Sequence, residues 1–142
     1  MVTEAVEVET LLETVTRAMA EMTDSESASV LLYDDEAHAL RFVAASDSSH
    51  TVAQEIPIPI EDSVAGAAFA EKRVVAIKDA AKFPRHFRRI DQETRLVTRS
   101  ILAAPISYRG QVLGVLETIN KRGGVDYNGD DATILETLAS LL

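Results

Sequence analysis

Three polar residues, Thr98, Ser100 and Glu117, interrupt the most apolar stretch of this 142-residue chain. Buried polar groups need partners. The trio could therefore hydrogen-bond a bound molecule, or simply engage Arg95 and Arg99 nearby. A basic run lies just before it. Residues 82–99 hold Lys82, Arg85, Arg88, Arg89, Arg95 and Arg99 against Asp91 and Glu93, a net +4 on a chain whose total is −9. Such an island can hold an anion, although a solvated face is the commoner use of a charge run. Phe83 and Phe87, two of only four phenylalanines, fall in the same segment. They could stack on a planar ligand, or anchor the segment to a core, which is the more frequent role. Asp79 ends a short apolar run and could accept from a ligand or cap the next turn.

Covalent and metal chemistry find little support. There is no cysteine, which removes disulfides, thiolate metal sites and thiol catalysis. The three histidines, His38, His50 and His86, sit in no recognisable motif, and nucleophilic schemes need a base beside a nucleophile with an orienting group behind it. The expectation is a binding protein and not an enzyme. An acidic total argues against nucleic acid as the main partner. No run approaches the roughly 20 apolar residues of a membrane span, and the N-terminus does not read as a signal peptide. These features predict a soluble, cytoplasmic protein with no direct membrane insertion.

The elements that must position these groups start with residues 98–121. Two long apolar strands, Thr98 to Ser107 and Val112 to Asn120, flank Tyr108-Arg109-Gly110-Gln111. Neither alternates cleanly, so both faces should be covered. Arg109-Gly110 suits a tight turn. With a two-residue turn, Leu102 would face Glu117, and alternation would put Thr98, Ser100 and Glu117 on one face. Gly114 leaves room for a close approach to the sheet.

Elsewhere, Val8, Leu11, Leu12, Val15, Met19 and Met22 recur at helical steps over residues 4–22, an apolar stripe for a sheet or for a partner helix. Strands are expected at Ala28–Tyr33 and Leu40–Ser46, with Leu40, Phe42 and Ala44 on one face. An extended piece at Gln54–Ile60 carries Pro57 and Pro59, which cannot donate to a ladder and so mark an edge. Ser63 can cap a short helix of small residues, Val64–Ala70. Val74–Ile77 reads as a strand, and His86–Glu93 as a short helix in a lid-like segment. Asn128 with Asp131 approaches a capping box ahead of a final stripe, Ile134, Leu135, Leu138, Leu141 and Leu142. That stripe breaks off mid-pattern, so residues 1–142 are expected to be a single domain of a longer protein.

This order resembles the GAF domain, a sensory module related in architecture to PAS. The resemblance covers nearly the whole chain. It rests on Ile56-Pro57-Ile58-Pro59-Ile60 before Val64-Ala65-Gly66, then Val75-Ala76-Ile77-Lys78-Asp79 and Phe83-Pro84. Arg99 to Ile106, Gly110 to Leu116 and Asn120-Lys121 complete it. The resemblance implies an α+β, sandwich-like fold. A central antiparallel sheet of five to six strands would carry the N- and C-terminal helices on one face and short helices and a lid on the other. The family's Asn-Lys…Phe-x-x-x-Asp-Glu pattern maps onto Asn120, Lys121, Tyr127 and Asp131, with Tyr127 in place of Phe and Ala132 in place of Glu. By resemblance, Lys121 and Asp131 form a structural clasp between last strand and last helix. Ser63 and Arg95 stand where glycine is frequent, suggesting a pocket of altered shape or charge.

The resemblance further implies a regulatory module that binds a small molecule between sheet and lid and signals through its terminal helices to an output domain. Such domains accompany histidine kinases of two-component systems, cyclases and phosphodiesterases. The expected ligand-binding residues are Asp79, Phe83, Phe87, Arg95, Thr98, Ser100 and Glu117, for an unknown ligand, anionic or nucleotide in character. The departures in the motif make a cyclic nucleotide the less favoured option. No cofactor is named; covalent bilin attachment lacks its cysteine, and haem would depend on His86. A homodimer is expected through Leu11, Val15, Met19, Leu138 and Leu142. The competing reading is a ligand-free dimerisation and spacing module whose pocket is filled by its own side chains.

Overall fold

In the computed structural model, residues 2–46, 56–82 and 98–142 are described. Helix α1 (Val2–Met22) leads into the antiparallel strands β1 (Ser25–Asp34) and β2 (Ala39–Ala45). Strand β3 (Ile58–Pro59), helix α2 (Val64–Glu71) and strand β4 (Val75–Ile77) follow, then a 3-10 turn at Ala80–Lys82. Strands β5 (Ile101–Tyr108) and β6 (Gln111–Lys121), a turn at Arg122–Gly124 and helix α3 (Gly129–Ser140) complete the described elements. The six strands form one antiparallel sheet in the order β3-β2-β1-β6-β5-β4. The proline-bearing β3 is an edge, as its missing donor requires.

Helices α1 and α3 cover one face of the sheet. Val15, Met19, Val30, Leu102, Leu116 and Leu135 make the core there. Helix α2 covers the other, where Leu31, Phe42, Ile58, Ala68, Ile101 and Val115 are buried together. The α1 stripe thus turns onto its own sheet. Met19 is fully buried and Val15 nearly so, and each such burial is worth about 1.5–3 kcal/mol. This corrects the expected dimer contacts: Val15 and Met19 have no surface to offer, Leu138 is half-buried against the same core, and Leu11 and Leu142 remain exposed.

Two bulges set the register. Arg109 and Gly110 both have positive φ, 51° and 81°, and close a two-residue turn with Tyr108 opposite Gln111. The ladder then slips between Ile106 and Ser107, so that Ala103, not Leu102, faces Glu117. An extra residue on one strand flips every side chain beyond it relative to its neighbour. A second irregularity between Val30 and Leu31 pairs Leu31 with Phe42 and Val30 with Ala44. Phe42 therefore packs on the α2 side and Ala44 on the α1–α3 side, instead of sharing a face. Gly114 is required by packing: a Cβ there would stand 2.1 Å from the Leu31 carbonyl oxygen.

Candidate functional site

Beneath α2, a cleft opens between the helix and the sheet. Leu31, Phe42, Ile58, Val64, Ile101 and Ile119 give it apolar walls, and Ser63, Thr98 and Glu117 supply polar groups. The local sequence explains how α2 comes so near. Its Val64-Ala65-Gly66-Ala67-Ala68 run is buried throughout, and a Cβ on Gly66 would collide with the Ile60 carbonyl oxygen at 2.0 Å. Ser63 starts the helix. Its hydroxyl accepts from Gly66 N at 2.9 Å and donates to the Pro59 carbonyl at 2.6 Å, so it fixes the helix to the edge strand.

Glu117 is the one charged side chain lining this cleft among the described residues. It is 8% exposed and lies between Ser29 on β1 and Ala103 on β5. It already has an interaction within the protein, and the two oxygens of a carboxylate keep further acceptor capacity. Ser29, on the same face, is 4% exposed, and its Oγ has no hydrogen-bond partner among the described residues. The void between these walls is small, about 40 Å³ as space open to the centre of a water molecule, and about 410 Å³ counted out through the mouth.

Of the ligand-binding residues expected from sequence, Thr98 and Glu117 come together at the cleft. Ser100 does not join them. Because of the bulge it turns away, and its Oγ accepts from Lys121 N at 3.2 Å. Asp79 is exposed and 3.9 Å from Lys82 Nζ, away from the lining. Phe83, Phe87, Arg95 and His86 lie outside the described residues. Ser29 was missed. Its signal is the alternation Ser25-Glu26-Ser27-Ala28-Ser29, which sets small hydroxyls at every second position of a strand that is otherwise core.

The last strand leaves this site through a dense polar joint. Asn120, fully buried with φ 61°, accepts on Oδ1 from Arg99 N at 2.5 Å and Ser100 N at 3.1 Å. Its own N–H donates to the Ser100 carbonyl at 2.8 Å. Asn is among the residues that tolerate the left-handed region, and only a side-chain acceptor there can reach two neighbouring amides. Lys121 Nζ reaches Asp131 Oδ2 at 2.5 Å, with side chains 13% and 5% exposed. The same Oδ2 accepts from Asn128 N at 2.9 Å, while Asn128 Oδ1 accepts from Asp131 N at 2.9 Å, a complete capping box. Tyr127 lies under Lys121, its ring centre 5.9 Å from Nζ. Burial holds its phenol protonated beyond the ordinary tyrosine range.

Comparisons with known proteins agree with this geometry. A family model described as the GAF domain matches residues 5–142. The cGMP-specific 3',5'-cyclic phosphodiesterase of Drosophila mojavensis is 37% identical over 84 residues, 58% of this chain and 8% of that protein. Its counterpart from Drosophila erecta is 38% identical over 78 residues, 54% of this chain and 7% of that protein. The chain thus spans only a small fraction of the length of these relatives. Among solved structures, the GAF domain of a phosphoenolpyruvate-protein phosphotransferase from Coxiella burnetii superimposes with a TM-score of 0.84 at 17% identity, covering 94% of this chain and 78% of that one. The second GAF domain of DevS from Mycobacterium smegmatis gives 0.71 at 17% identity, covering 93% and 87%. At such identities the likeness is one of fold.

Proposed function

This chain belongs to the GAF domain family, and from that premise we propose that it is a sensor module that takes a small molecule into the cleft beneath α2 and signals through its terminal helices to an attached output domain. The observation that carries this reading is the buried Glu117 carboxylate in the cleft lining, with Ser29, outside that lining, as its cross-strand neighbour on β1. With that carboxylate in its wall, the cleft favours a ligand edge bearing N–H or O–H donors. The curated relatives are named for cGMP, and guanine presents such donors, so cGMP is the first ligand to test. The Tyr127 and Ala132 departures leave the Lys121–Asp131 clasp in place, which removes one argument against a cyclic nucleotide.

Thermal shift and calorimetry with cGMP, cAMP and inorganic phosphate test the reading on the chain and on its Ser29→Ala and Glu117→Gln variants. A saturating ligand at 100 Kd should add about 2.7 kcal/mol of stability. The Glu117→Gln change should weaken cGMP by roughly tenfold or more, as for a hydrogen bond to a charged group. If neither nucleotide nor phosphate raises Tm, the reading fails for these ligands.

The small void favours a second reading. Pockets for drug-sized molecules run to roughly 300–1,000 Å³, and about 40 Å³ holds only water-sized guests. A spacer with a self-filled pocket would show no ligand response and would still dimerise. In either case the homodimer interface falls to the exposed Val8, Leu11, Leu141 and Leu142. Sedimentation equilibrium of the chain and of a Leu11→Glu/Leu142→Glu variant tests that: a dimer that the variant dissociates supports it, and a wild-type monomer at high concentration sinks it. No helix among the described residues is long and apolar enough to cross a membrane, and a cytoplasmic location belongs to the same proposal.

A further inference from the structure

A chain of hydroxyls runs from the entry of α3 to the exit of α1. Tyr127 Oη lies 2.7 Å from Ser25 Oγ, and Ser25 Oγ lies 2.7 Å from Thr23 Oγ1. Thr23 Oγ1 in turn donates to the Met19 carbonyl at 2.6 Å. That last bond uses the only proton Thr23 can give, so the direction of the others follows: Ser25 donates to Thr23, and Tyr127 donates to Ser25. Thr23 and Ser25 are buried, where hydrogen bonds are stronger and polarise one another. Thr118, fully buried, stands close to the phenol, but its hydroxyl lies outside hydrogen-bond geometry.

The two ends of this chain are placed where helix movement would be felt. Met19 and Thr23 form the last turn of α1, closed by Thr23 N to the Met19 carbonyl at 3.1 Å. Tyr127 immediately precedes Asn128, the N-cap of α3. The backbone bond from Arg122 N to the Asp24 carbonyl at 2.8 Å ties α1's exit to the end of β6, but stops short of α3. The hydroxyl chain carries a side-chain tie on to Tyr127, the residue that launches α3, beside the Lys121–Asp131 clasp and the packing of Met19 with Leu135.

We propose that Tyr127, through Ser25 and Thr23, yokes the last turn of α1 to the first turn of α3, so that the two terminal helices open and shift as one unit. The pocket wall reaches the same place: Thr98 lines the cleft, its neighbours Arg99 and Ser100 are bound by Asn120, and Lys121 grips α3 at Asp131. The yoke stands on the hydrogen bonds whether or not a ligand binds. Its use in signalling rests on the sensor reading above.

Native-state hydrogen exchange of the whole chain, without ligand, tests the yoke separately from the sensor reading. The probes are the Thr23 amide, which closes onto the last turn of α1, and the Ala132 amide, bonded to the Asn128 carbonyl, in α3. In wild type the two should share one opening free energy, as members of one cooperative unit. Tyr127→Phe keeps the ring and removes the hydroxyl. It should split the two amides, with Thr23 protection falling about three- to tenfold, the range for one net hydrogen bond. Ser25→Ala should do the same, and the double variant should lose no more than either single one, because each breaks the same chain. Amides that already open separately in wild type, that stay matched in Tyr127→Phe, or whose losses add in the double variant would each overturn the proposal.

Discussion

The most discriminating stability experiment is Asp131→Asn. The amide is nearly isosteric, and its oxygen can still accept from Asn128 N, so the capping box survives and only the charge is lost. What remains is the Lys121 ammonium on a side chain 13% exposed, facing a site where the lost carboxylate was 5% exposed. An exposed ion pair is worth about 0–1 kcal/mol. Removing one partner of a buried pair costs about 3–5 kcal/mol, because the other charge is stranded. Burial on both sides places Lys121–Asp131 near the second limit, so about 3 kcal/mol is expected. Urea unfolding at neutral pH, followed by circular dichroism, measures it. With a slope of about 1–3 kcal/mol/M for small proteins, the midpoint should fall by about 1 M or more with unchanged slope. Lys121→Met should also destabilise, and in the double-mutant cycle the two losses should be far from additive. A loss below about 1 kcal/mol for Asp131→Asn would refute the argument and reduce the clasp to a surface pair.

Three other outcomes follow from the same geometry. Asn120→Ala should cost about 2–3 kcal/mol in chemical denaturation, since it frees two backbone amides and forces alanine to φ 61°; Asn120→Asp, which keeps the acceptor, should cost clearly less. Gly114→Ala should lower Tm sharply, because its Cβ would meet the Leu31 carbonyl oxygen at 2.1 Å and backbone cannot yield as a side chain can; a change of under 1 °C would show that the β1–β6 approach is looser than described. Tyr127 gives a pH dependence. Its folded pKa is raised, mainly by burial, so its contribution to stability is present below the ordinary tyrosine value of about 10 and is lost as pH climbs through the folded pKa. Wild type should therefore lose more stability above pH 10 than Tyr127→Phe does, as read by denaturant titrations at stepped pH; equal alkaline losses would contradict this.

Much of the architecture was legible in the chain because it depends on local rules. The helical spacing of Val15, Met19 and Met22, the turn chemistry of Arg109-Gly110, the prolines that confine Ile58–Pro59 to an edge, and the Ser63 and Asn128 caps each depend on residues close in sequence. The Lys121–Asp131 clasp came from the family resemblance and not from a local rule, through a motif that spans one turn and one helix start. Tertiary structure decided what those rules leave free. An apolar stripe does not say whether it faces a sheet or a second subunit, and burial of Val15 and Met19 settled that. Alternation does not reveal a bulge, and the slip at Ile106–Ser107 separated Ser100 from Glu117, while the pairing of β1 with β6 set Ser29 opposite Glu117. The meeting of Tyr127 with Ser25, 102 residues earlier, exists only because β1 and β6 pair at the centre of the sheet, a long-range choice made by the packing of the whole core and by no stretch of sequence alone.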